Sequence, residues 1–346
     1  MNPHAKLITS LSLLLGTTIT ISSNHWMMAW TGLEINTLAI IPLISKSHHP
    51  RAIEAAIKYF LVQAAASVLV LFSSTVNAWH TGQWDLTQLT HPTSCLLLTT
   101  AIAMKLGLVP FHFWFPEVLQ GSSLTTALLL STMMKLPPIT ILFMTSHSLN
   151  PTLLTIMAIA SAALGGWMGL NQTQVRKILA FSSISHLGWM AIIIIYSPKL
   201  MLLTFYLYSL MTTAVFLTLN TIKTTKLSTV MTSWTKTPML NATLMLTLLS
   251  LAGLPPLTGF LPKWLIIQEL TKQEMTTTAT IIAMLSLLSL FFYLRLAYYS
   301  TITLPPNSTN YMKQWHINKS TNTLVPLATS LSILLLPLSP LILTSI

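Results

Sequence analysis

Ala103-Met104-Lys105-Leu106-Gly107-Leu108-Val109-Pro110-Phe111-His112-Phe113-Trp114 sets a lysine, a proline and a histidine inside an apolar run of membrane-spanning length. Proline lacks a backbone N–H and clashes with the preceding turn, so an α-helix breaks or kinks near Pro110. In hydrocarbon the freed carbonyls must find partners within the protein or in a water-lined cavity. A lysine near the bilayer centre costs about 2.5–3.5 kcal/mol on insertion scales. A charge beside a broken helix is the way transporters build ion sites at the midplane. The stretch therefore predicts movement of an ion, with the proton as first candidate.

The composition around it agrees. Only 7% of the 346 residues are charged, against about 25% in soluble domains, and apolar runs recur from end to end. These features predict an all-α polytopic membrane protein forming one transmembrane domain over 1–346. The net charge of +11 is spread singly through loops, which points to interfacial positive charge rather than nucleic acid. A single cysteine, Cys95, excludes internal disulfides, cysteine-ligated iron–sulfur clusters and zinc ribbons. Met1-Asn2-Pro3 leads straight into an apolar segment with no basic presequence, so the first helix is expected to serve as its own insertion signal.

Eleven candidate spans follow, near 3–23, 25–44, 53–78, 96–116, 122–146, 151–171, 177–197, 199–221, 239–267, 276–299 and 323–345. If the N-terminus lies inside, the inside segments hold Lys6, Lys46, Arg51, Arg176, Lys177, Lys223, Lys226, Lys236, Lys313 and Lys319, and the outside loops only Lys199 and Lys272. Ten against two is a positive-inside bias that also puts the C-terminus outside. Lys58 and Arg295 lie near inside ends, where they can snorkel. Two glycosylation sequons, at Asn307 and Asn318, fall on the inside loop and carry no weight.

Gly107-Leu108-Val109-Pro110 has an echo in Gly253-Leu254-Pro255-Pro256. Both lie in long segments, each has a lysine nearby (Lys105, Lys263), and they are five segments apart. An odd offset reverses the direction of travel, so the arrangement is that of an inverted repeat with broken helices at matching positions. The breaks are assigned to Pro110 in the first copy and to Gly253, Pro255, Pro256 and Gly259 in the second.

Few residues are equipped for proton chemistry in such a setting, and intramembrane ionisable groups are functional by default. Glu34, midway along the second segment, has Lys105 as its natural partner at similar depth; the bland reading is a structural pair. Lys135 precedes Pro137-Pro138. A desolvated lysine gives up its proton more readily than one in water, although Lys135 could equally bond carbonyls freed by the prolines. Lys263 follows Pro262 and is either a relay toward the outside face or an anchor beside Trp264. His186, in the polar patch Ser182-Ser183-Ile184-Ser185-His186, and His112 suit a proton path through ordered water, and a purely hydrogen-bonding role is as well supported for both. Asp85, Glu269 and Glu274 read as solvated, Glu54 as an i,i+4 surface partner of Lys58 that could also line an inside uptake path, and Glu117 as ambiguous. No GxGxxG, P-loop, cysteine cluster or metal-ligand set is present, so no nicotinamide, flavin, iron–sulfur or metal site is expected, and the scattered histidines argue against haem.

Asn2-Pro3, Trp30-Thr31-Gly32-Leu33-Glu34-Ile35-Asn36, the Lys105-to-Trp114 stretch, Ala180 to Trp189 and Leu254-Pro255-Pro256-Leu257-Thr258-Gly259-Phe260 resemble the subunit 2 family of mitochondrial NADH:ubiquinone oxidoreductase, respiratory complex I. The resemblance covers the whole chain, and its Thr-, Leu- and Met-rich composition resembles a mammalian, mitochondrially encoded copy. It implies an antiporter-like membrane-arm subunit whose buried polar axis runs from Glu34 with Lys105, through Lys135, to Lys263, with His186 and His112 nearby. It implies five-helix repeats over 1–146 and 150–299, with a terminal helix over 323–346 left over. Against the family's usual fourteen helices, the first three are absent here.

The same resemblance implies a translocase subunit of the mitochondrial inner membrane, N-terminus on the matrix side and C-terminus in the intermembrane space. It would bind no cofactor, with NADH, FMN, iron–sulfur clusters and ubiquinone handled by other subunits. Its partners would be other membrane-arm and accessory subunits and membrane lipid such as cardiolipin, with no homo-oligomer. Two other functions fit the residues: a free-standing cation/proton antiporter, and a mainly structural subunit whose lysines are fixed interhelical pairs.

Overall fold

The computed structural model describes residues 3–234, 237–301 and 323–339. Among them the regular structure is helical, as twenty-residue apolar runs demand when every backbone group must be satisfied within its own segment. The chain divides into two compact units, Met1–Ser161 and Ala162–Ile346.

In unit 1, α1 (Pro3–Ser22), α2 (Trp26–Ile44) and α3 (Pro50–Thr81) are unbroken. The fourth segment splits into α4 (Pro92–Leu106) and α5 (Trp114–Gly121), and the fifth into α6 (Leu124–Ser131) and α7 (Leu136–Met144). Around the interruptions, α3 packs against α4 and α5, and α7 against α1, α2 and α4. The unit boundary falls within α8 (Pro151–Gly169).

Unit 2 contains α9 (Val175–Ile193), α10 (Pro198–Ile222), the short α11 (Leu227–Ser233), α12 (Pro238–Ala252), α13 (Phe260–Lys272), α14 (Thr276–Thr301) and α15 (Leu324–Leu334). Segment nine is thus broken into α12 and α13, and α11 has no counterpart among the expected spans. Nearly every side chain of α9 is buried against α10, α13 and α14, its serines included. A helix clothed in protein needs less hydropathy than one facing lipid, which is how it carries Ser182, Ser183 and Ser185. Among the described residues, seven helical stretches are long and apolar enough to cross a membrane, counting α6 and α7 as one, and the shorter apolar helices are α4, α12 and α15. The architecture is that of an all-α, antiporter-like membrane protein in which, among the described residues, segments four and nine are broken at a glycine and segment five is interrupted by a 3-10 turn. Asn307, Lys313, Asn318, Lys319 and Lys236 lie outside the described residues.

Large apolar side chains remain at the surface of α1 (Leu7, Ile8, Leu11), α3 (Phe60, Leu61, Val68) and α14 (Met284, Leu287, Phe291). In a bilayer such faces carry no penalty, because lipid tails are as apolar as leucine.

Candidate functional site

α4 and α12, the leading halves of segments four and nine, each begin with a proline in the first turn, where the missing N–H is harmless, and each end on a glycine. Gly107 has φ 78° and ψ 40°, and Gly253 has φ 80° and ψ 41°. This left-handed conformation is open to glycine at little cost and closes a helix. The intervening turns, 107–113 and 253–259, contain the expected Pro110, Pro255 and Pro256.

In unit 1 the carbonyls of Ala103, Met104 and Lys105, in the last turn of α4, are taken by neutral donors. Ala103 O accepts from Gly107 N and Leu108 N, both at 2.9 Å. Met104 O accepts from the Trp114 indole at 3.2 Å, and Lys105 O from the Gln63 amide at 3.4 Å. The Lys105 side chain is 5% exposed, and its Nζ has no hydrogen-bond partner among the described residues.

Lys135 is positioned by the second interruption. α6 stops at Ser131, a 3-10 turn spans Met133–Lys135, and α7 restarts with Pro137-Pro138 in its first turn. The prolines therefore open a helix instead of kinking one. Lys135 is 3% exposed, and its Nζ lies 4.8 Å from the centroid of the Phe115 ring on α5, a cation–π arrangement that suits a desolvated ammonium.

Lys105 and Lys135 line one cavity of about 20 Å³, together with Asn36, Thr37, Tyr59, Gln63, Trp114 and Phe115 among others. That volume holds about one water molecule. Among the described residues no carboxylate is in the lining. Glu34 lies off this wall, because α2 presents Leu33, Asn36 and Thr37 to the cavity and its neighbour in sequence points about 100° away. Thr37 Oγ1 lies 3.2 Å from Glu34 Oε2. The carboxylate makes no ion pair within 4.0 Å among the described residues, although its charge is felt at Lys105 and Tyr59. The two groups expected to pair are therefore neighbours in field but not in contact. His112 is buried in the turn after α4 with its ring 4.2 Å from that of Phe113, outside the cavity wall.

In unit 2 the helix end is capped differently. Lys263 Nζ donates to Ala252 O, the last carbonyl of α12, at 2.7 Å, and lies 5.9 Å from the Trp189 ring centroid. Gly259, at the start of α13, is pressed against the Ser250 carbonyl with no room for a Cβ. Thr258 Oγ1 donates to Ser332 O of α15 at 2.5 Å, so the terminal helix is tied to the break. The half-buried His186 ring is tilted against Tyr208 with centroids 5.4 Å apart. Tyr208 and Tyr293 are buried, with Ser183 and Ser182 as their respective neighbours on α9.

Elsewhere in unit 1, Lys58 bonds Glu54 at 2.5 Å, as the i,i+4 spacing predicts, and also Glu117 at 2.6 Å, which ties α3 to α5. Tyr59, Gln63, Trp114 and Phe115 are the site residues that sequence reasoning passed over; a glutamine inside an apolar span was the available signal. Among the described residues no cluster of three or more His, Cys, Asp or Glu side chains could hold a metal ion.

Residues 23–289 match the family model described as NADH:quinone oxidoreductase/Mrp antiporter, transmembrane, and residues 290–343 match that of the NADH dehydrogenase subunit 2 C-terminus. The chain belongs to this family. Among its relatives, NADH-ubiquinone oxidoreductase chain 2 of Struthio camelus is 81% identical over 346 residues, all of both chains. That of Gallus gallus is 77% identical over 344 residues, 99% of each chain. These relatives are birds, which corrects the mammalian expectation drawn from composition. A chain of respiratory complex I from Thermus thermophilus is 26% identical with a TM-score of 0.84, the match covering 97% of this chain and 80% of that one. The family's antiporter-like fold is the one described above.

Proposed function

We propose that this chain is a proton-translocating membrane-arm subunit of NADH:ubiquinone oxidoreductase in the mitochondrial inner membrane. In this role it moves protons from matrix to intermembrane space on energy released by electron transfer in partner subunits. NADH, FMN, iron–sulfur clusters and ubiquinone belong to those partners, and this chain supplies protonatable side chains. The N-terminus lies on the matrix side and the C-terminus in the intermembrane space, by the positive-inside count. Segments 1–5 and 6–10 act as inverted five-helix repeats, a reading supported by the matched glycine-terminated breaks.

The observation that carries this reading is the pair of buried lysines on one water-sized cavity without a carboxylate in its wall. Two ammonium groups facing one small cavity repel, so simultaneous protonation of both is disfavoured, and the pair titrates as a coupled unit. A single water can bridge them and hand the proton across. Glu34, outside the wall but electrostatically linked to Lys105, biases where the proton rests: its approach stabilises the ammonium and its withdrawal drives the proton toward Lys135. Lys263, with His186 and His112 near the path, continues the route. Lys105→Met or Glu34→Gln is expected to lower the proton-to-electron ratio far more than the amount of assembled complex. An assembled Lys105→Met complex that pumps at the normal ratio would contradict this.

A further inference from the structure

A lysine in the last turn of a helix has a default occupation. Its ammonium folds onto the terminal carbonyls, which have no intrahelical donors and sit at the negative end of the macrodipole. Lys263 satisfies one such carbonyl, Ala252 O, from across its break. Lys105 sits within the last turn of α4 and makes no such bond among the described residues, and three carbonyls of that turn carry other donors. Ala103 O has two backbone donors, Met104 O has the Trp114 indole, and Lys105 O has the Gln63 amide.

We infer that Trp114 and Gln63 are positioning residues for Lys105: by holding the carbonyls of Met104 and Lys105 they deny the ammonium a cap and leave it to the cavity it shares with Lys135. The two come from different elements, Gln63 from α3 and Trp114 from α5, and both line the cavity themselves. A Cβ at Gly107 would lie 3.5 Å from Trp114 Cζ2, an ordinary van der Waals contact, so the glycine is required here by its left-handed φ and not by the indole. The indole is braced edge-on by Tyr59 and Phe115, at centroid distances of 5.7 and 5.4 Å. Its N–H is thus held against Met104 O whether or not Lys105 is charged. This inference rests on the proton-carrying role assigned above to Lys105.

The test separates the N–H from the ring. Trp114→Phe keeps an aromatic ring and removes the donor. Trp114→His gives up half the ring and keeps a donor the same number of bonds from Cβ. Complexes carrying either variant, and Lys105→Met, are to be placed in sealed vesicles. The NADH-driven proton-to-electron ratio is then read beside the amount assembled on a native gel. Trp114→Phe is expected to fall toward the Lys105→Met ratio, while Trp114→His assembles less well but keeps the parental ratio. The reverse order, with Phe normal and His reduced, would mean that the indole only packs, and would overturn the inference while leaving the Lys105 reading intact. A normal ratio in Lys105→Met would instead remove the reading beneath it. If neither Trp114 variant assembles, Gln63→Met against Gln63→His makes the same contrast: a lowered ratio in Met alone supports the inference, and a lowered ratio in His alone overturns it.

Discussion

In unit 1 the helix that stops at Leu106 ends on an indole and an amide, whereas in unit 2 the helix that stops at Ala252 ends on the Lys263 ammonium. The two helices otherwise match closely: 15 residues each, an opening proline, and a left-handed glycine at the end. A charge-assisted hydrogen bond contributes about 1.5–3 kcal/mol, and the helix dipole adds about 0.3–1 kcal/mol. Lys263 must give up that hydrogen bond to move or discharge, whereas Lys105, which also lies at the negative end of a helix, has none to lose among the described residues. Similar breaks in the chain thus supply one lysine that is held and one that is available, and the difference lies in what else reaches the carbonyls.

The comparison breaks most visibly where the second α-helix of each pair begins. A Cβ at Gly259 collides with the Ser250 backbone carbonyl, which has no flexible end to yield. Phe113, at the matching place in unit 1, is 65% exposed. Gly259→Ala is expected to abolish assembled complex on a native gel, and Phe113→Ala to shift stability by about 1 kcal/mol or less. Equal assembly of the two would show that the breaks are equally tolerant.

Next in size are the lysines themselves. Lys263→Met leaves the Ala252 carbonyl without its donor, a loss of about 1–3 kcal/mol. Thermal inactivation of the complex should show it as a lower midpoint. Lys105→Met removes no hydrogen bond and should leave that midpoint near the parental value. A larger loss of stability at Lys105 than at Lys263 would reverse the assignment of held and available.

The glycines sharpen the contrast further. Moving a left-handed glycine to alanine costs about 1–2 kcal/mol at both Gly107 and Gly253. At Gly107 the nearest atom to an added Cβ is 3.5 Å away, whereas at Gly253 the Lys263 side chain is met at 2.9–3.0 Å. Gly253→Ala is therefore expected to lower the midpoint further than Gly107→Ala. The smallest effect belongs to Lys58, whose partners are solvent-exposed. Lys58→Met should lower stability slightly in low salt and not measurably in high salt, where exposed charges are screened.

Much of this was readable in the chain because the bilayer is a strict solvent. A span needs about twenty apolar residues, so ten of the expected segments recur closely as helices or broken helices, and α15 begins where the eleventh was placed. Pro110 and the Gly253-Leu254-Pro255-Pro256 run pointed to the breaks, although α4 already stops at Gly107, three residues before the proline. The second interruption in unit 1 did not show: Thr132 and Met133 are ordinary residues, and Pro137-Pro138, read as freeing carbonyls within a span, open α7 instead. Glu34 and Lys105 share a depth, which a sequence can reveal, but the rotation of Glu34 away from the cavity wall depends on the packing of α2. Gln63 and Trp114 were missed for a related reason. Their part is to satisfy carbonyls on another element, and no local pattern records that.

Whether Lys105 and Lys135 act as one proton-holding site is tested most directly by the NADH-driven proton-to-electron ratio of reconstituted complex carrying Lys105→Met, Lys135→Met or both. Each single change is expected to lower the ratio by the same share, and the double change to lower it no further, because residues acting as a unit are not additive. Normal ratios in the single variants, or two independent losses that sum in the double, would be incompatible with a shared site.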